Sequence, residues 1–342
     1  MRKCDIKNVP LLLEKMAKSF PLYLPVDGKD GSARFERWTE NTALSDKVNT
    51  VRGAKDFFFP QTENLMAFKV CGKEIELKET PRADKPFILF GVRACDVRSL
   101  DILDRVFLSE PKDSFYAARR ECGIVVSLAC TRLSETCFCT VFGINPAEPL
   151  GDVSCIKTEH VLYMQANTEK GERLMRMLET VTEECEQGAA DEQKKEIAER
   201  AKKLPLAKLS LSAFGSGKTD KLFHSEKWSE LSQSCLGCGA CTFVCPTCQC
   251  YDIKDFDTGS EVKRFRCWDS CMYSDFTKMS AGQPRHSQLE RFRQRFMHKL
   301  VYYPENNDGI FSCVGCGRCL SSCPISMNIA KVIKAFGGVA DE

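Results

Sequence analysis

Two short runs of cysteine share one spacing. Cys235, Cys238, Cys241 and Cys245 are followed by Pro246, and Cys313, Cys316, Cys319 and Cys323 are followed by Pro324. Each run reads C-x2-C-x2-C-x3-C-P, the spacing that gives three thiolates to one 4Fe-4S cube and the fourth to a second cube. Sulfurs at adjacent corners of so small a cube need a tight loop. Gly237, Gly239, Gly315 and Gly317 let the backbone curl with its N–H groups toward the sulfides. By this rule Cys235, Cys238, Cys241 and Cys323 hold one cluster, and Cys313, Cys316, Cys319 and Cys245 hold the other. A pair of zinc knuckles is the alternative, but it needs C-x2-C pairs around a tetrahedral ion. Eight cysteines in two matching runs fit cubes better.

Thirteen of the 21 cysteines lie outside those eight positions. Cys95, Cys130, Cys137 and Cys139 form a candidate third 4Fe-4S site, against the reading that they are small buried hydrophobes. Cys248, Cys250, Cys267 and Cys271, from CPTCQC and RCWDSC, are a weaker group, either a further cluster or thiols packed beside the two cubes. Cys4, Cys71, Cys122, Cys155 and Cys185 have no partner pattern and are expected to be structural. Two other matches carry no function. Cys241-x3-Cys245-x2-Cys248 has the radical S-adenosylmethionine spacing but is embedded in the ferredoxin run. Gly217-Lys218-Thr219 ends like a phosphate loop, yet Ser212 stands where its first glycine belongs.

The elements that must position these thiols are an α/β domain at 1–186, a polar linker at 187–221 and a helical ferredoxin-like dicluster domain at 222–342. Phe87–Val92 and Ile124–Ala129 are apolar runs of strand length. Between them a helix is expected, with Asp96 as its cap and Leu100, Leu103, Val106 and Phe107 on one face. Strand, helix and strand predict two parallel neighbours in a right-handed unit. Cys95 and Cys130 then emerge at one carboxyl edge of the sheet, where open α/β sheets place ligands. Cys137 and Cys139 follow in the next loop, and the helix turns its positive end toward the anionic cluster they would hold. A second helix is expected near 171–186. The stretch 246–312 reads as helical and basic, with a capping box at Ser287 and Glu290 and a stripe of Leu289, Phe292, Phe296 and Leu300 that suits core packing. Arg291, Arg293 and Arg295 are read as a solvated helix face or a docking surface.

The remaining composition sets limits. Lys and Arg number 49 against 47 Asp and Glu, a net charge of +2, so no basic footprint for nucleic acid is present. No apolar run approaches the roughly 20 residues of a membrane span. The first residues lack the apolar core of a secretory signal, so a cytoplasmic location is expected. In a reducing compartment, cysteine at this abundance points to Fe-S clusters or zinc rather than to disulfides. Only four histidines are present, which weakens mixed Cys/His zinc sites. No G-x-G-x-x-G follows a strand, so no dinucleotide site is recognisable.

Seven motifs spread along the chain resemble one family: GVRACD at 91–96, ETCFC at 135–139, VCPTCQCYD at 244–252, RCWDSCMYSDF at 266–276, SAGQPR at 280–285, RFRQRFMHK at 291–299 and CVGCGRC at 313–319. The chain is similar to the iron-sulfur subunit of anaerobic sulfite reductase and to the related β subunit of sulfhydrogenases. The resemblance implies an electron-transfer subunit that takes electrons from an NAD(P)H-linked flavin subunit, then passes them to a catalytic subunit carrying sirohaem or nickel and iron. In that pattern position 267 is not a cysteine, which leaves Cys248, Cys250 and Cys271 as the weaker group. Sulfite reductase is the favoured setting, with a soluble nickel-iron hydrogenase or another NAD(P)H-linked reductase as the alternative. A scaffold with structural metal sites is the competing class. No substrate chemistry is expected on this chain alone.

Overall fold

The computed structural model describes residues 1–338, and twelve strands in them form two sheets. In chain order the strands are β1 (Arg2–Asp5), β2 (Leu22–Asp27), β3 (Ala33–Arg37), β4 (Thr62–Cys71), β5 (Glu74–Glu79), β6 (Phe87–Val92), β7 (Gly123–Leu128), β8 (Val153–Lys157), β9 (Val161–Ala166), β10 (Glu183–Glu184), β11 (Tyr251–Asp257) and β12 (Val262–Trp268). The larger sheet runs β10-β1-β9-β8-β7-β6-β2-β3. Its centre, β8-β7-β6-β2, is parallel, and its flanks are antiparallel.

The expected strand, helix and strand are present, because two apolar runs buried on both faces can sit only at the centre of a covered sheet. Phe87 pairs with Gly123 and Leu89 with Val125, so β6 and β7 are parallel neighbours. The helix between them, Ala94–Phe107, buries Leu100, Leu103 and Phe107 against one face of the sheet. The helix Val9–Ser19 covers the other face with Leu12, Leu13 and Met16. Asp96 does not cap its helix. Arg93 holds the cap position, and Asp96 lies in the first turn, turned inward and 1% exposed.

Three further expectations change. The helix near 171–186 is shorter, Glu169–Met177, and strand β10 follows it. The polar stretch 187–221 is folded rather than a free connector. Its helix Asp191–Lys202 buries Ile197 against Ala129 and Ile156, and Leu209 and Phe214 join the core of the dicluster region. The stretch 246–312 is helical mainly over Gln288–Asn306, near its end. Its first part is the hairpin β11–β12, which pairs with β4–β5 in the order β11-β12-β4-β5. The second sheet is therefore built half from the N-terminal region and half from the dicluster region.

The helical part follows the capping box, which is present as expected: the Ser287 side chain accepts from the Glu290 N–H, and Glu290 reaches back. The helix Gln288–Met297 runs on through a π turn, His298–Tyr302, with Phe292, Phe296 and Leu300 buried. Among the described residues no helix is long and apolar enough to cross a membrane.

Candidate iron-sulfur centres

The sequence repeat is also a repeat of backbone geometry. Gly237 and Gly315 have φ of +66° and +58°, and Gly239 and Gly317 have +73° and +79°. Each pair curls its cysteine loop and then starts a short helix, Ala240–Phe243 or Arg318–Ser321. These two helices pack on one another. Positive φ is where glycine is strain-free, so the loops take these turns without steric strain.

The second set of thiols lines one cavity. Cys245, Cys313, Cys316 and Cys319 surround it together with Arg295 and Lys299. This is the group that pairs the fourth cysteine of the first run with three of the second. In the first loop the Gly237 N–H donates to Cys235 Sγ at 3.5 Å; Cys235 and Cys323 both pack against the core of the dicluster region, and Cys323 Sγ donates to the Met327 carbonyl at 3.3 Å. Cys238 is exposed. Burial pushes Cys313 up to about 12 and Cys316 up to about 11, so iron loading at these thiols must displace protons.

The carboxyl edge of the large sheet meets the second loop directly. Cys95 and Cys130 lie just past the ends of β6 and β7, and all of Cys95, Cys130, Cys137 and Cys139 are buried. Cys95, Cys139 and Cys316 share one buried hydrophobic cluster, and the charges of Cys130 and Cys137 act on Cys139. Burial pushes Cys139 up to about 12. The Phe138 N–H donates to the Gly315 carbonyl at 2.8 Å, and Asn49 Nδ2 donates to the Cys316 carbonyl at 2.8 Å and to Cys137 Sγ at 3.9 Å. A Cβ on Gly315 would strike the Phe138 carbonyl, and one on Gly317 would strike that of Thr136. The two cysteine loops are in backbone contact, with no intervening layer.

The weaker group divides. Cys250 and Cys271 lie thiol to thiol, and the contact lowers Cys250 to about 7. Cys248 contacts Cys245. Cys267 sits in β12 opposite Asp252 and Thr62, away from that contact. Cys4 and Cys155 are packed in the core of the large sheet. The side chain of Cys71 lies outside the described residues.

The basic residues around the thiols are the feature that motif reading missed. Six basic side chains are buried among the described residues: Lys55, Arg93, Arg266, Arg295, Lys299 and Arg318. Arg266 has Glu63 and Asp113, and Arg318 has Asp96. The other four have no carboxylate within ion-pair distance among the described residues, and each lies against cysteines. Arg93 donates to the carbonyls of Lys47, Val48 and Ala129 next to Cys130. Lys55 donates to the Cys248 carbonyl at 3.0 Å and stands 3.5 Å over the Trp268 ring. Lys299 donates to Thr247 Oγ1 at 2.8 Å and to the Ser312 carbonyl at 3.2 Å. Arg295 Nε has no partner. Isolated buried cations cost several kcal/mol each unless an anion answers them, and a cube carrying four thiolates is an anion. The residues present therefore fit the group in the chemistry of the donor set and its counter-charges, as well as in the spacing of the cysteines along the sequence.

Arg295 and Lys299 were detectable in principle. They recur three residues after Phe292 and Phe296, on the buried side of the helix. The docking face read from Arg291, Arg293 and Arg295 is not free. Arg291 donates to the Arg285 and His286 carbonyls, Arg293 to the Phe223 carbonyl with its guanidinium 3.7 Å over that ring, and Arg295 is buried.

Comparison with known proteins agrees with this chemistry. Residues 234–327 match the 4Fe-4S dicluster domain family. The chain is similar to sulfhydrogenase 2 subunit beta of Pyrococcus furiosus, with 32% identity over 338 residues, covering 97% of this chain and 96% of that relative. No solved structure matches it.

Proposed function

We infer the function from a family premise: the chain belongs to the sulfhydrogenase β-subunit family and carries 4Fe-4S clusters, and its role is that of an iron-sulfur electron-transfer subunit. We assign one cluster to Cys235, Cys238, Cys241 and Cys323, and one to Cys245, Cys313, Cys316 and Cys319. A third goes to Cys95, Cys130, Cys137 and Cys139. When bound, each cluster supplies one-electron exchange. The protein's residues fix the spacing of the sites, bury the third, and answer their charge with Arg93, Arg295 and Lys299.

One observation carries this reading. The second thiol set meets the third through the Phe138–Gly315 backbone bond and lies beside the first where the helices Ala240–Phe243 and Arg318–Ser321 pack together. Three adjacent sites in a row describe a path for electrons better than they describe a scaffold. The path would join an NAD(P)H-linked flavin subunit to a catalytic subunit in the cytoplasm, with the dicluster region acting as a ferredoxin-like module. The motifs read from sequence favour a sirohaem sulfite reductase as that catalytic partner. The similarity to a sulfhydrogenase subunit favours a nickel-iron partner. Isolation of the chain with its native partners, followed by identification of their cofactors, separates the two. Flavin on one partner and sirohaem or nickel on another supports the path. Isolation with no redox partner contradicts it.

A further inference from the structure

We propose that Arg295 is a charge shared by the two clusters of the dicluster region, and that it holds both of their reduction potentials above the values they would have without it. This rests on the assignment of those two clusters given above, and it adds a role for a residue that ligates neither.

The placement of Arg295 follows from its helix. The capping box at Ser287 fixes the start of Gln288–Met297, and Phe292 and Phe296 anchor its buried side. Arg295 lies on that side, 3% exposed, with its guanidinium 4.5 Å from the Phe296 ring centre. It lines the cavity of Cys245, Cys313, Cys316 and Cys319, its helix begins at Gln288 against the Cys235 carbonyl of the first loop, and its charge acts on Cys241 of the first set as well. No carboxylate is within ion-pair distance of it among the described residues, and its Nε is unpartnered. One turn on, at the π turn, Lys299 lines the cavity of the second set and donates to Thr247 and to the Ser312 carbonyl beside Cys313.

A guanidinium cannot give up its proton under protein conditions, so Arg295 keeps its charge through any redox change nearby. Adding an electron to a buried cluster deepens its negative charge, and a fixed cation beside it at low dielectric stabilises the reduced form. Arg295 does this for both clusters, and Lys299, which lines the cavity of the second set, does it for the second.

The test uses the full chain loaded anaerobically, with iron counted and each cluster's midpoint potential measured by EPR-monitored titration against dithionite. Arg295→Gln is expected to shift both midpoints to more negative values. Arg295→Lys, which keeps the charge, is expected to stay near wild type, and Lys299→Gln to shift one midpoint only. Unchanged midpoints in Arg295→Gln, or an equal shift in Arg295→Lys, would overturn the proposal. If Arg295→Gln fails to take up iron, full loading of Arg295→Lys supports the need for charge, and failure of both overturns it in favour of guanidinium shape. Wild-type protein with fewer than two reducible clusters in this region would overturn the underlying assignment and the proposal with it.

Discussion

Arg318 and Asp96 form a two-pronged ion pair between residues 222 positions apart, with Nη1 to Oδ1 at 2.6 Å and Nη2 to Oδ2 at 2.7 Å. Their side chains are 2% and 1% exposed. Arg318 stands between Cys316 and Cys319 in the second cluster loop, and Asp96 follows Cys95 at the edge of the large sheet. Arg318 Nε also donates to the Thr50 carbonyl at 2.8 Å. The pair clamps the dicluster region to the sheet at the point where two thiol sets meet.

Breaking this clamp from one side leaves a buried guanidinium without its anion. Asp96→Asn should cost about 3 to 5 kcal/mol, the usual penalty for an orphaned buried charge. The double variant Asp96→Leu with Arg318→Met should be less damaged than Asp96→Asn alone. Anaerobic thermal denaturation of the iron-loaded chain reads both. An unchanged melting temperature in Asp96→Asn would show that the pair holds nothing.

Gly317 is a sharper probe of the contact between loops. Its φ of +79° costs an L-residue about 1 to 2 kcal/mol, and a Cβ there runs into Thr136. Gly317→Ala should therefore lower the iron content of the second and third sites together, while Gly259→Ala, in an exposed hairpin turn with open space around it, should leave iron unchanged. Iron retained in full by Gly317→Ala would contradict the close approach of the loops.

The parts legible in the sequence are those set by short-range geometry. The cysteine loops need glycine turns every two residues, and β6 and β7 are apolar runs too short for anything but buried strands. The rest depends on contacts between distant segments. The β4–β12 pairing spans nearly 200 residues, although Gly72 and Gly259, both at positive φ between alternating runs, mark the two hairpins. The stretch 187–221 hides Ile197, Leu209 and Phe214 in a polar composition. Asp96 reads as a helix cap because its partner, Arg318, is invisible until the fold brings it near.

The third site is open to a direct count. Cys137→Ser in the full chain should remove roughly four irons while leaving the other clusters in place. The full chain is needed, because β4 takes its neighbour β12 from the dicluster region. Cys155→Ser, in the core beneath the sheet, should reduce stability without removing iron. Iron content unchanged in Cys137→Ser would return Cys95, Cys130, Cys137 and Cys139 to the role of buried core thiols.

The most direct test of the central claim is the reduction of the purified, anaerobically loaded chain by dithionite, with iron and acid-labile sulfide measured on the same sample. The account predicts about twelve irons and as many sulfides per chain, and a visible absorbance that bleaches on reduction and returns on reoxidation. Zinc in place of iron, or clusters that dithionite leaves unbleached, would contradict an electron-transfer role and make the metal sites structural.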